Sequence, residues 1–293
     1  MTDLTWGIAS GLGTGMTWAA TSLLVRSLSG TFTPAGITAM RSTVGGSILV
    51  ILALAAGHGG DVVRMPLWVV LTLWASIILA MGIGDSLFFA SMDHLGVTRA
   101  LILSMVNPLL TTLVGMGLLG EPVTLPRASG ILLVMGGLLL IIAGKSEGGS
   151  ERRAPRRGMR LVFAAAMAWA ASAVIMKPAL EAVPVVAAAA VRIPMGGLFL
   201  WLTPWTRGTV DAIAASRPAE RKRLGLICFI TAFGSLLFVA GIKFGGVAIG
   251  NVLASTSPLF TLPFEVWVLS QRPSRQTVLG AVVTVAGVGL MNL

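Results

Sequence analysis

Residues 15–26 read GMTWAATSLLVR, and residues 166–177 read AMAWAASAVIMK. The two lines lie 151 positions apart and both end on a cation. Sliding the chain along itself by 151 also sets Arg41 over Arg192 and Gly45-Gly46 over Gly196-Gly197 without a gap. Further on the offset becomes 150, where Gly84 meets Gly234, Phe88 meets Phe238, Gly96 meets Gly246, Pro108 meets Pro258 and Gly130 meets Gly280. Chance similarity between apolar segments matches Ala and Leu; it does not match Trp, Arg, Pro and Gly at a nearly constant spacing. The chain is an internal duplication.

Of 293 residues, 55% are apolar and 11% charged, and the mean hydropathy is +0.90. A water-soluble domain of this size does not tolerate that balance. Apolar runs of about 20 residues, the length that crosses a ~30 Å hydrocarbon core, recur throughout. Ten spans are expected: 4–25, 34–57, 67–91, 98–119, 125–143, 160–178, 184–205, 224–243, 247–270 and 275–292. They read as helices because the runs lack the alternation of barrel strands. The fold class is therefore all-α integral membrane, with ten transmembrane helices in two five-helix repeats. MTDLTW enters the first span with no basic region ahead of it, so that span is expected to be retained. Cys228 is the single cysteine, and His58 and His94 are isolated. An internal disulfide is excluded, and no metal or other cofactor is expected.

The formal charge of +10 is concentrated in KSEGGSERRAPRRGMR and RPAERKR, both between spans. That placement fits anchoring at an anionic lipid leaflet and not nucleic-acid binding. Loops after the odd-numbered spans hold fifteen Lys/Arg and those after the even-numbered spans hold Arg64, Arg127, Lys177 and Lys243. Since positive charge favours the cytoplasm, both termini are expected outside, with the loops after spans 5 and 7 inside. An odd number of spans per copy makes the second copy enter from the opposite face, so the repeats are expected to be inverted. Inverted repeats supply the two nearly equivalent states of alternating access, with the solute site near the midplane between the halves.

PAGITAMRSTVGG (34–46), NPLLTTLVGMGLLGEPVTLPRASGILLVMGGLLLI (107–141) and SPLFTLPFEVWVLSQRPSRQTVLGAVVTVAGVGL (257–290) resemble the EamA repeats of the drug/metabolite transporter superfamily over nearly the whole chain. The resemblance implies one repeat over 1–144, a basic linker over 145–159 and a second repeat over 160–293. It also implies a secondary active transporter, commonly an exporter of amino acids or related metabolites, and not an enzyme. Its expected setting is a bacterial inner membrane, as monomer or homodimer, with a small-molecule substrate and lipid as partners. The second copy departs from the first in carrying Ser270-Gln271 where the first has Gly120-Glu121.

Pro108 and Pro258 fall near the middles of spans 4 and 9. A proline there removes a backbone donor and leaves an acceptor in hydrocarbon, so the pair marks either packing kinks or a solute site. Asn251, Ser255, Pro258 and Glu265 share one helical face, expected to meet water, and Asn107 and Ser257 adjoin the prolines. Glu265 is either an interfacial carboxylate or a titrating group. Arg41 and Arg192 lie two turns into spans 2 and 7, where a guanidinium needs a partner or a water-filled cavity. Asp85 is placed to pair with Arg41. The equivalent of Asp85 is Ser235, which leaves Arg192 free for a solute anion unless Glu121 or Glu181 reaches it. Trp18 and Trp169, away from the interfacial belts, either line the cavity or pack. Gly7, Gly11 and Gly15 allow close helix approach. Two other functions stay open, a lipid flippase or permease subunit and an integral-membrane enzyme, although the scattered acids show no nucleophile-base spacing.

Overall fold

A computed structural model describes residues 3–28, 30–95, 100, 103–144, 155–267 and 274–291. Regular structure among them is helical throughout. Helix α1 is Asp3–Arg26, α2 Pro34–Ala55, α3 Gly59–Val63 and α4 Leu67–Ile77. A π-helical segment, Ile78–Gly84, joins α4 to α5, Asp85–Leu95. Then come α6 Val106–Leu119, α7 Leu125–Gly144, α8 Pro155–Ala182 and α9 Val185–Trp201. A 3-10 turn over Pro204–Thr206 leads to α10 Thr209–Ala215, α11 Pro218–Ala254, α12 Ser257–Trp267 and α13 Arg275–Leu290. Six helices are long and apolar enough to cross a membrane, and Val185–Trp201 with Pro204–Ala215, bent by 82°, makes a seventh candidate. Val106–Leu119 and Arg275–Leu290 are apolar but shorter.

Helix boundaries follow local chemistry. Thr33 Oγ1 accepts from Gly36 N at 3.1 Å ahead of α2, Ser274 Oγ accepts from Thr277 N at 3.1 Å ahead of α13, and Pro34 and Pro218 occupy first positions, where no donor is needed. Gly120, at φ 64°, ends α6 in the left-handed region. Hydroxyls inside spans turn back on their own helix, as Thr14 does to Ser10 O and Thr284 to Gly280 O, both at 2.8 Å. These hydroxyl hydrogens are thereby not left facing lipid.

At 37 residues, α11 would run about 55 Å if straight, well beyond one crossing. It is not straight. Gly246 has φ 80° and ψ 167°, and a methyl added at Gly250 would lie 2.7 Å from the Gly241 carbonyl oxygen. Nine residues of straight helix hold such positions about 13.5 Å apart, so the chain folds back at Gly246 into a helical hairpin. That turn falls between expected spans 8 and 9. Span 9 is broken again at Ser255-Thr256 before α12, and span 4 at Met105 before α6.

The duplication is visible in the packing. A methyl added at Gly137 would lie 2.6 Å from Gly280 O, and one at Gly280 would lie 2.6 Å from Gly137 O. One at Gly130 would lie 2.7 Å from Gly287 O, and one at Gly287 would lie 2.7 Å from Gly130 O. As position rises on α7 it falls on α13, so these two equivalent helices pack antiparallel, and each contact becomes the other under the offset of 150. Helices α2 and α9 do the same: Gly46 packs on Pro194 and Gly197 on Thr43, a pair exchanged by the offset of 151. Off these self-paired contacts, Gly7 against Gly245 in α1 and α11 recurs as Gly158 against Leu95 in α8 and α5.

The π segment explains why the offset changes. Gly45 packs on Cys228 and Gly196 on Ile77, which keeps 151 as far as Ile77. From Gly84 onward it is 150. The first repeat therefore carries one extra residue between Ile77 and Gly84, where its backbone widens into a π turn and the second repeat remains α-helical.

Candidate functional site

Arg192, on α9, is 4% exposed. Its Nε donates to Ser76 Oγ at 2.7 Å and its Nη2 lies 3.4 Å from Ser172 Oγ. Ser172 in turn donates to Ser76 O at 2.6 Å. The guanidinium carbon sits 5.9 Å from the Phe238 ring centroid, and Phe238 packs 5.5 Å from the ring of Trp18, which is 38% exposed. A buried guanidinium demands such partners. The sequence pointed to a free Arg192; two serines hold it instead. Neither acid proposed to reach it is engaged there: Glu181 pairs with Lys177 at 3.5 Å, and Glu121 binds backbone elsewhere.

Arg41 is the reverse case. It is half-buried, and its Nε is buried with no hydrogen-bond partner. At the offset of 151 the counterpart of Ser76 is Ile227, which is fully buried and offers no acceptor. Its surroundings are set by its neighbours on α2: Ser42 Oγ lies 3.4 Å from Met81 Sδ, one turn before Asp85, and Gly45, one turn on, packs on Cys228. The expected Arg41–Asp85 contact ion pair is absent, since the ion pairs within 4.0 Å among the described residues are His58–Asp61 and Lys177–Glu181. Asp85 follows the π turn, where one added residue rotates the helix by about 100°. Its Oδ1 accepts from Trp169 Nε1 at 3.0 Å. The same indole N–H lies 3.2 Å from Ala80 O in the π turn, and the Trp169 ring packs 5.1 Å from that of Phe88. The equivalent rings, Trp18 on Phe238, repeat the aromatic pair without the acid.

The prolines sit differently from expectation. Pro108 is third in α6 and Pro258 second in α12, each just past a break. First-turn positions have no intrahelical acceptor to lose, so neither proline breaks a hydrogen bond. What joins the breaks is amide chemistry: Asn251 Nδ2 donates to Thr111 Oγ1 at 2.8 Å and lies 3.4 Å from Asn107 Oδ1. Asn251 is 5% exposed, so this end of the Asn251 face meets α6 and not water. Ser255 Oγ returns to Asn251 O at 2.9 Å, and Ser257 and Pro258 are half-buried. Glu265 lies within α12, and its side chain is outside the described residues.

Glu121 was not among the residues singled out for a site, yet it bridges the repeats. Its carboxylate accepts from Val247 N at 2.8 Å and Ala248 N at 3.3 Å. Those are the first donors after the Gly246 turn, so an acid from the first repeat caps the second arm of the hairpin in the other. A methyl at Gly246 would stand 2.9 Å from Glu121 Oε1, which is why a glycine turns there. The sequence signal was Gly120-Glu121 ending α6 and Gly246 at its constant offset from Gly96. A separate open hollow of about 410 Å³, lined by Trp201, Thr203, Thr206 and Arg207 among others, lies beyond the end of α9. Among the described residues no three His, Cys, Asp or Glu stand together as metal ligands.

The profile of the EamA-like transporter family matches residues 5–143 and 156–293. The crystal structure of another protein superposes with a TM-score of 0.76 at 20% identity, over 97% of this chain and 94% of the other. At that identity the likeness is one of fold. No curated protein matches the chain.

Proposed function

The chain belongs to the EamA-like transporter family, an integral-membrane family within the drug/metabolite transporters, and on that premise we propose that it is a secondary active transporter of small metabolites such as amino acids. It works by alternating access, as an exporter, from ten spans in two inverted repeats over 1–144 and 160–293 joined by a basic linker. The observation that carries the reading is the mirrored glycine packing. Equivalent helices α7 and α13 meet antiparallel at 2.6 and 2.7 Å in both directions, as two copies related by an axis in the membrane plane must. Such copies exchange conformations at little free-energy difference, which is what a carrier requires.

The solute chamber lies between the repeats, near Arg41, Asp85, Trp169 and Trp18. The breaks at Met105 and Ser255 give the walls matched hinges. The protein acts without cofactor or nucleic acid, as monomer or homodimer in a bacterial inner membrane, with termini outside. Purified protein in liposomes tests the reading. Solute flux from protein alone is the expected result; product formation without flux would mark an enzyme, and lipid movement without solute flux a flippase. A periplasmic reporter signal from a C-terminal fusion is expected, and a cytoplasmic one reverses the orientation.

A further inference from the structure

Resting on the transporter reading above, we propose that Arg41, and not its repeat twin Arg192, receives a carboxylate of the transported solute. The two guanidiniums occupy equivalent positions, yet their donors are differently engaged. Around Arg192 the hydroxyls of Ser76 and Ser172, 0% and 3% exposed, take Nε and Nη2 at 2.7 and 3.4 Å. A carboxylate arriving there would have to displace both and leave two buried hydroxyls to find new partners. Around Arg41 the repeat counterpart of Ser76 is Ile227, which offers no acceptor, and Nε is buried and unpaired. An incoming carboxylate there adds a charge-assisted hydrogen bond and breaks none.

The neighbourhood also says what else the solute carries. Ser42, adjacent to Arg41, lies 3.4 Å from Met81, one turn before Asp85, so Asp85 neighbours Arg41 but stands beyond contact, its Oδ1 engaged by Trp169 at 3.0 Å. A bare anion at Arg41 would be repelled by Asp85. A solute with a carboxylate at one end and an ammonium at the other satisfies both charges across the gap. Cys228, whose carbonyl packs on Gly45 one turn from Arg41, is 2% exposed and brings no competing charge as a thiol. The π turn built this difference: its extra residue sits directly ahead of Asp85 and gives Trp169 a carbonyl acceptor at Ala80. The second repeat has Ser235 in place of Asp85 and has neither device.

The test uses the full chain in liposomes, with the amino acids and their carboxamides as probes. Wild type is expected to transport at least one amino acid, preferring it to its own amide by about tenfold or more. Arg41→Gln is expected to abolish that preference and Arg41→Lys to keep part of it. Arg192→Gln is expected to lower the melting temperature while the acid-to-amide ratio stays at the wild-type value. Thermal melting of each variant separates a lost site from a lost fold, and the Lys variant retains the cation. A wild-type ratio in Arg41→Gln, or its collapse in a folded Arg192→Gln, overturns the proposal while leaving the transporter reading intact. If wild type moves neither acids nor amides but carries another solute, this inference falls and the transporter reading stands; if it carries no solute at all, both fall.

Discussion

The two copies of the span-2 arginine live in opposite chemistry on a shared frame. Arg192 is tied to Ser76 and Ser172, while Arg41 has Ile227 where a serine would stand and an unpaired Nε. The contacts on the self-paired helices are meanwhile mirrored, at 2.6 and 2.7 Å in both directions. The difference teaches where a duplicated chain is free to change. Residues on helices that pack against their own equivalents sit in a seam where each repeat forms one wall, so any substitution is felt by both repeats. Residues away from those contacts are constrained once, and there the copies have diverged into a satisfied cation and an unsatisfied one. Glu121 against Gln271 is a second divergence of this kind, with the Gln271 side outside the described residues.

The mirrored contacts carry the largest expected effect. Gly137→Leu drives a side chain into Gly280 and Thr284, with backbone 2.6 Å from its first carbon. Because α7 and α13 cannot both yield without parting, a loss of about 3 kcal/mol is expected, the upper range for overpacking. Its neighbour is the control: nothing lies within 4 Å of a methyl at Gly136, and Gly136→Ala should be neutral or slightly stabilising. Size-exclusion recovery after heating in detergent checks both. Equal losses at the two positions would break the claim that the glycines pair the repeats.

Next in size is the cap on the hairpin. Glu121→Ala leaves the Val247 and Ala248 N–H groups without their acceptor, at an expected cost of about 1–2 kcal/mol. Glu121→Gln, which copies the second repeat's residue, retains one acceptor oxygen and should fall between. Hydrogen exchange at these two amides is the direct measurement. Unchanged protection in the Ala variant would show that the hairpin turn holds without help from the other repeat.

The helical membrane class, the duplication and most helix edges were legible because apolar length and rare-residue spacing report directly on them. The change of offset from 151 to 150 was legible too, but its meaning was not. An inserted residue reads the same whether a loop or a π turn absorbs it, and only backbone geometry places it at Ile78–Gly84. The prolines read as mid-helix because Met105 and Ser255 carry no strong breaking signal. The ends of Arg41 and Arg192 were read the wrong way round for a related reason. Sequence depth suggested Asp85 for Arg41, whereas the partners of Arg192 are two serines, residues so common in spans that neither stood out. Glu121 was visible as part of a motif, but its partner is 126 positions away on a backbone, which leaves no side-chain signature.

Satisfaction of Arg192 can be sharpened one hydroxyl at a time. Ser76→Ala removes the acceptor of Nε and makes the second site resemble the first, where Ile227 offers none. A cost of about 1–2 kcal/mol is expected, read as a lower melting temperature. Ser47→Ala, an exposed hydroxyl bonded only to its own helix at Thr43 O, should stay within about 0.5 kcal/mol. If the two variants melt together, the serine contributes nothing to holding the guanidinium, and the contrast between the arginines is weaker than their geometry implies.

The tryptophans give the smallest expected difference. Trp169→Phe keeps an aromatic ring against Phe88 but removes the N–H that serves Asp85 at 3.0 Å and Ala80 O at 3.2 Å. Trp18→Phe likewise keeps a ring on Phe238, and Trp18 makes no indole hydrogen bond among the described residues. The first substitution should cost about 1 kcal/mol and the second a few tenths, since they differ chiefly in the indole N–H, which has two half-buried acceptors in the first and none among the described residues in the second. The sharper readout is functional. With the indole gone, Asp85 is free to turn toward Arg41 and close the gap that a zwitterion would fill, so Trp169→Phe should weaken amino-acid uptake more than Trp18→Phe at equal protein. Equal uptake by the two variants would mean that the indole does not hold the charges apart, and that the asymmetry between the repeats stops at the arginines.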